Sequence, residues 1–350
     1  MNRPQHAVEI GLGLQGDKRP GDYARLAVLA ESHGFDVLSV FGDLMFQPPL
    51  VPLLEMAAVT GRVRLGAACW NPFSLHPYEI AGQVAALDLA SDGRAYLGLA
   101  RGSWLDRVGI GQPRPVAAVT EAARVVAALL SGDDRGFDGV VFRLAPGSRL
   151  RYPVRRPKVD LLIGAWGPRM AAVAGRIADE IKIGGTANPE VVGLLRERVS
   201  VGTGPAGRAP DDVGIVVGAV TVVDTDATAA RRRARAEVAM YLDVVAGLDP
   251  TVDVPPELLA EIGRRVRLGD DQGAGDLITD ELLDRFAFSG TPDQVAAQAQ
   301  KLIDAGVSRV EFGTPHGLTD VGGIELLGSR VLPQLDRERR IAPAESIFGA

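Results

Sequence analysis

Three short stretches of the chain carry residue types that could do chemistry. The run LLIGAWGPRMAAVAGR, from Leu161 to Arg176, leaves an apolar, strand-like segment through Gly164 and Gly167 and enters a helical pattern at Pro168. Proline is best tolerated at the first helical position, where its missing N–H would have had no partner. Bare backbone N–H groups at the positive end of a helix hold phosphate or carboxylate, although the same pattern also makes an ordinary strand-to-helix turn. Glu9 interrupts the apolar strand Ala7-Val8-Glu9-Ile10. Facing inward, that carboxylate must be paired or functional; facing outward it is only strand-surface polarity. Asp43 ends the second apolar run, where it either serves a reaction or caps the following loop.

Other motifs fall away on context. Gly11-Leu-Gly-Leu-Gln-Gly16 matches the dinucleotide fingerprint G-x-G-x-x-G, but residues 17–21 intervene before any helical periodicity, and the fingerprint must open directly into a helix. Close backbone approach is the better account of these glycines. The four histidines, His6, His33, His76 and His316, show no metal-ligand spacing, and no serine-nucleophile elbow occurs. Cys69, at a strand end, is either reactive or a buried small apolar residue, and nothing cationic neighbours it in sequence.

Composition narrows the classes. At 46% hydrophobic and 23% charged residues, the 350-residue chain has a globular composition and can bury a large core. A formal net charge of −6 argues against nucleic acid as a partner, and the basic run Arg231–Arg233 lies among acidic residues, as on a solvated helix face. One cysteine permits neither an intramolecular disulfide nor a thiolate metal cluster. No basic-then-apolar leader and no long uncharged apolar run is present, which points to a soluble cytoplasmic protein that does not engage a membrane.

The elements that must position these residues alternate. Strand patterns fall at 7–14, 36–41, 63–70, 95–100, 159–164, 180–183, 214–223 and 309–313, with helical patterns at 22–33, 77–90, 116–130, 168–178, 189–199 and 292–305. Eight strands, most followed by a helix, predict a single (β/α)8 TIM barrel spanning 1–350. A helical insertion at about 231–286 separates strands 7 and 8, and 136–150 makes a shorter excursion. Barrel active sites lie at the C-terminal ends of the strands. That picks out 9–13, Asp43, 69–71, 101–104, 165–169, 184–186 and 314–316. The mouth so defined is poor in acid–base groups and rich in glycine, small residues and the tryptophans Trp70, Trp104 and Trp166. It suits a flat ring cofactor held by backbone and apolar walls.

The run VRLGAACWNPFSLHPYEIAGQVAALDLASDGRAYLGLARGSW from Val63 resembles the third and fourth β/α units of the bacterial luciferase-like superfamily. Within it the chain is most similar to the coenzyme F420-dependent methylenetetrahydromethanopterin reductases. The resemblance continues in AVEIG, VFGD, IGAWGPRMAAVAGRIADEIKIGGTANP and FSGTPDQVAAQAQKLIDAGVSRVEFGTPHG, covering most of 7–335. It implies a barrel, usually a homodimer, with deazaflavin F420 in the mouth. The loop Gly164, Ala165, Trp166, Gly167, Pro168 and Arg169 would receive the phosphate of the F420 tail, with Gly184, Gly185 and Thr186 beside it. A non-proline cis peptide would fall at Ala68–Cys69 behind the ring, and Trp70, Asn71, Arg101 and Gly102 would complete the cofactor wall. Glu9 would match a buried first-strand glutamate near the reacting centre, and Asp43 a second-strand aspartate near the ring.

Two positions depart from relatives that oxidise alcohols: Leu44 stands where many members carry histidine, and Ser103 where the sugar-phosphate dehydrogenases carry glutamate. The resulting expectation is an F420H2-dependent reductase delivering hydride to a C=N (iminium) or conjugated C=C bond of a small heterocyclic substrate, with Glu9 and Asp43 catalytic and no metal. Hydride addition to an already electrophilic bond needs little acid–base help. The alternatives are an FMN-dependent monooxygenase, which would consume oxygen with reduced flavin; a methylenetetrahydrofolate reductase-like enzyme; and a non-catalytic deazaflavin carrier, which would bind the ring without hydride transfer.

Overall fold

The computed structural model describes residues 7–338, which excludes His6. Its first half alternates β1 (Glu9–Leu14), α1 (Asp22–Ser32), β2 (Val37–Val40), α2 (Leu50–Ala57), β3 (Arg64–Ala67), α3 (Pro77–Ala90), β4 (Tyr96–Ala100) and α4 (Pro115–Ser131). A small antiparallel hairpin, β5 (Phe137–Asp138) and β6 (Arg143–Leu144), follows within the expected excursion. The alternation resumes with β7 (Asp160–Gly164), α5 (Pro168–Ile177), β8 (Glu180–Gly184), α6 (Glu190–Thr203) and β9 (Gly214–Val223). Four helices come next: α7 (Ala227–Val245), α8 (Pro256–Arg267), α9 (Asp271–Gly275) and α10 (Asp280–Phe286). Then come β10 (Ala287–Gly290), α11 (Pro292–Asp304), β11 (Arg309–Gly317) and α12 (Asp320–Leu326).

Eight parallel strands in the order β3-β2-β1-β11-β9-β8-β7-β4 form the barrel, and bridges Leu65–Ala95 and Trp70–Leu99 bring its two ends together. The ninth strand, β10, pairs with the upper half of β9. Sequence periodicity misses it, because AFSG at 287–290 is too short to show alternation. Thr291 is a clear stop signal after it: its side chain caps α11 and Gln294 returns the bond, ahead of Pro292. Among the described residues no helix is long and apolar enough to cross a membrane.

Period-two alternation divides every strand. Ile10, Leu12 and Leu14 of β1, with Val8 just before it, join the large apolar layer under the helices, as do Leu65, Leu97, Leu99, Ile181 and Ile183. The other parity points into the barrel. There Val37, Tyr96, Leu162 and Val216 form a small separate cluster, with charged residues above and below it. Glycines clear the space for these side chains. A Cβ on Gly66 would lie 2.6 Å from the Tyr96 ring, and one on Gly13 would lie 2.4 Å from Phe41. Gly11 and Gly218 flank Glu311, leaving 3.3 Å and 3.1 Å to it. Gly13 is therefore required by the Phe41 ring, and Gly11 leaves room for Arg309 and Glu311.

Candidate active site

Charge enters the barrel from its N-terminal end. Arg64, first residue of β3, bonds Glu9 at 2.8 Å, Asp160 at 3.2 Å and Glu180 at 3.4 Å. Arg309, fully buried, approaches Glu180 at 3.5 Å and Glu9 at 3.9 Å. Both guanidinium carbons stand 5.5 Å from the centre of the Tyr96 ring. Burial works against the charge of Arg64, but Glu180, Glu9 and Asp160 outweigh it and hold the guanidinium more firmly protonated than usual. Each of these five charged residues is the first of its strand. Glu9 accordingly points inward but at the floor of the barrel, across its length from Asp43. The structure does not bring the two expected catalytic carboxylates together; Glu9 is a partner of Arg64.

Above Tyr96 runs a second polar group. Ser39 Oγ donates to Glu311 Oε2 at 2.7 Å, and the one proton of the Tyr96 hydroxyl reaches both Ser39 Oγ at 2.8 Å and the Gly66 carbonyl at 3.2 Å. The other oxygen of Glu311 accepts from Lys182 Nζ. Burial alone would raise the Glu311 acid, but Lys182, Arg309 and Ser39 hold it below its ordinary value. The Lys182 ammonium lies 5.2 Å from the centre of the Phe41 ring. Sequence reasoning missed this pair, although Lys182 in EIKIG and Glu311 in RVEFG interrupt apolar strands just as Glu9 does.

At the mouth, Asp43 is half-buried and accepts a long bond, 3.5 Å, from the Gln15 amide. Burial raises its pKa above the usual aspartate value, and Gln15 and Lys182 only partly pull it back. The Ala68–Cys69 peptide bond is cis. Burial pushes the Cys69 thiol up to about 12, which makes it an inert small side chain rather than a nucleophile. Tyr241 of α7 packs on Trp104, ring centres 5.7 Å apart, and burial beside Asp43 raises its phenol well above the usual range, so it stays a hydrogen-bond donor. His316 follows the cis bond Thr314–Pro315 and is fully buried, with Nε2 at 3.0 Å from the Gly13 carbonyl. A carbonyl only accepts, so Nε2 carries the proton and the ring is neutral, its pKa lowered to about 4 chiefly by burial.

The glycine-flanked loop after β7 has the features of an anion cradle. Helix α5 has Gly167 at its N-cap with no capping side chain and Pro168 next. Its first intrahelical bond is made by Ala171 N–H to Gly167, which leaves the earlier amides of Arg169 and Met170 without one. Positions 167 and 184 have nothing within 4 Å where a Cβ would stand. Arg198 anchors the loop by donating to the Trp166 carbonyl. Gly164, Ala165 and Trp166 are half-buried, Pro168, Arg169, Arg101 and Gly184 are exposed, and Gly102 is half-buried.

Three expected wall residues face elsewhere. Trp70 is buried against α3, its indole N–H donating to Gln83 at 2.9 Å. Asn71 is buried and turns its carbonyl oxygen onto Phe73 and Ser74, capping that turn. Thr186 is fully buried, its hydroxyl donating to the Arg285 carbonyl and accepting from Asn188 N–H, while Gly185 packs against Val245. Among the described residues no group of three or more His, Cys, Asp or Glu could hold a metal ion.

Comparison with known proteins agrees with the fold. The family model described as luciferase-like monooxygenase matches residues 5–309. A 5,10-methylenetetrahydromethanopterin reductase of Archaeoglobus fulgidus is 30% identical over 94% of this chain and all of its own. An F420-dependent glucose-6-phosphate dehydrogenase of Nakamurella multipartita is 28% identical over 90% of this chain and 93% of its own. The solved coenzyme F420-dependent tetrahydromethanopterin reductase from Methanopyrus kandleri superposes with a TM-score of 0.86 at 25% identity, covering 94% of this chain and 99% of that one.

Two measurements check the site as described. Glu9→Gln should cost about 1–3 kcal/mol of stability in denaturant melts by loosening Arg64, with turnover retained; lost turnover at full stability would return Glu9 to the reaction. His316 binds its proton less readily folded than unfolded, so stability should fall as pH drops from about 6.5 toward 4. His316→Asn should flatten that part of the pH–stability curve; an unchanged slope would mean His316 is not buried neutral.

Proposed function

The chain belongs to the luciferase-like monooxygenase family, and from that premise we propose an F420-dependent reductase that adds hydride to a C=N bond of a small heterocyclic substrate, in its cationic iminium form. Relatives across most of its length carry F420-dependent names. The observation that carries the reading is the uncapped start of α5 between two open glycines, which fits the phosphate-bearing tail of that cofactor. When bound, the reduced deazaflavin would supply the hydride.

The chain's own residues do the rest. The amides of Arg169 and Met170 hold the anion, with the Arg169 guanidinium adding charge from the same turn. The backbone at Ala68 and Cys69, with Gly164 against the Cys69 sulfur, gives the ring a flat floor. Around the reacting centre, Lys182 and Glu311 cancel, Cys69 and Tyr241 are neutral, and His316 is neutral. Asp43 is a carboxylate at the mouth, which would attract a cationic C=N centre more than a neutral carbonyl. Hydride addition to such a centre requires no base of the kind an alcohol dehydrogenase needs, in keeping with Leu44 and Ser103.

Fluorescence titration with oxidised F420, with FMN as competitor, tests the cofactor. F420 should bind in preference to FMN, and Gly167→Leu should weaken it at least about tenfold, near 1.4 kcal/mol, without changing the melting temperature. FMN binding with no response to F420 would overturn the assignment.

A further inference from the structure

The inward parity of the first two strands continues one step beyond their ends. On β1, a Cβ at Gly11 would stand 3.3 Å from Arg309 and Glu311, and one at Gly13 would meet the Phe41 ring. On β2, Ser39 reaches Glu311 and, two residues on, Phe41 lies against Gly13. Gln15 and Asp43 keep that parity one layer higher, and they meet there, with the Gln15 amide Nε2 at 3.5 Å from Asp43 Oδ2. The backbone that carries Gln15 is pinned on both sides. The buried Tyr23 hydroxyl donates to the Gln15 carbonyl at 3.1 Å, and Gln47, beyond β2, donates its N–H to the Gly16 carbonyl at 2.8 Å. A Cβ on Gly16 would lie 2.6 Å from the Gln47 carbonyl oxygen, so glycine lets the two strand exits press together.

Gln15 is 3% exposed, and its buried side-chain oxygen Oε1 has no hydrogen-bond partner among the described residues. A buried acceptor without a donor is costly. Turning the amide over would not cure it, because a carboxylate only accepts and the oxygen would then face Asp43. The neighbouring strand β11 offers no donor either, since the neutral His316 ring holds its proton on Nε2 for the Gly13 carbonyl. The 3.5 Å bond to Asp43 is slack and the terminal torsion of glutamine is broad, so Oε1 can turn onto a ligand without giving up that contact. We propose that Gln15 is a specificity-determining residue, whose Oε1 accepts the N–H of a protonated cyclic imine drawn in beside Asp43. The role deepens the reading of the mouth as a site of C=N reduction and rests on it. It narrows the substrate class to an iminium that still carries hydrogen on nitrogen. Hydride from the reduced deazaflavin adds to the ring carbon, the C=N π pair becomes the nitrogen lone pair, and the N–H bond stays intact against Oε1. The product is the neutral cyclic amine, and the cofactor, now oxidised, gives its remaining proton to water. An N-alkylated iminium brings the same charge but no donor, so it leaves Oε1 unpaired.

A glutamine that merely braced Asp43 would respond alike to any cation at the mouth. The test uses the full chain saturated with oxidised F420 and two cations of one ring size, the protonated five-membered cyclic imine and its N-methyl iminium. Both are titrated below the pKa of the imine, while the side-chain amide resonances of Gln15, assigned through its backbone connectivity, are followed by NMR. The N–H cation should move those resonances and bind at least about tenfold tighter than the N-methyl cation. Gln15→Met should erase the preference and leave the affinity for F420 unchanged. Equal binding of the two cations, resonances that do not move, or a preference that survives in Gln15→Met would overturn the proposal. Should Gln15→Met fail to fold, the resonances and the two affinities of the unaltered chain still decide. Failure of the underlying reading shows separately, as a titration with F420 that gives no response.

Discussion

The interior of an eight-stranded parallel barrel is just wide enough for inward side chains to fill, and what fills it fixes both the strands and the mouth. Here the filling is a column of ion pairs and hydrogen bonds. Glu9, Arg64, Asp160, Glu180 and Arg309 form its foot, Tyr96 and Ser39 its middle, and Glu311 and Lys182 its head. A buried charge is tolerated only when paired and hydrogen-bonded, so each member constrains the next. The glycine pattern of β1, β3 and β9 follows from that constraint, because a Cβ at 66 or 13 would collide with Tyr96 or with Phe41 above it, and one at 11 or 218 would crowd Arg309 or Glu311.

The column also separates structure from chemistry along one axis. Its foot carries charge in plenty, all of it engaged, and its head is neutral in sum. At the mouth stand Asp43, the neutral Cys69 and Tyr241, and the exposed backbone at the start of α5. That economy agrees with a reaction in which a bound cofactor supplies the electrons and the protein supplies orientation and one charge. The start of α5 shows the same economy: an uncapped helix terminus, two open glycines and an anchored loop present bare backbone amides.

Much of this was legible in the sequence. Eight strands, the helix start at Pro168 and the excursion at 136–150 follow from periodicity and turn chemistry, which act locally. The resemblance added the place of the cis bond at Ala68–Cys69. The failures share one cause: a side chain's height in the barrel depends on strand register, which is set by partners far away in sequence. Glu9 has the correct parity but pairs in register with Arg309, at the floor. Lys182 and Glu311 carry the same signature as Glu9, a charge interrupting an apolar strand, and differ only in height. Trp70, Asn71 and Thr186 lie at the expected strand ends, yet each side chain finds a partner in a neighbouring turn or helix. Position at a strand end places a backbone; it does not aim a side chain.

A single-turnover comparison tests the central claim, that the Asp43 carboxylate at the mouth selects the substrate. Enzyme loaded with reduced F420 is mixed with a cyclic iminium or with the cyclic ketone of the same ring size, and recovery of the oxidised deazaflavin spectrum is followed. The iminium should be reduced faster by at least about tenfold, a preference of roughly 1.4 kcal/mol at the barrier. Equal rates, or a faster ketone, would mean that the charge at Asp43 does not choose the substrate, and would contradict the account.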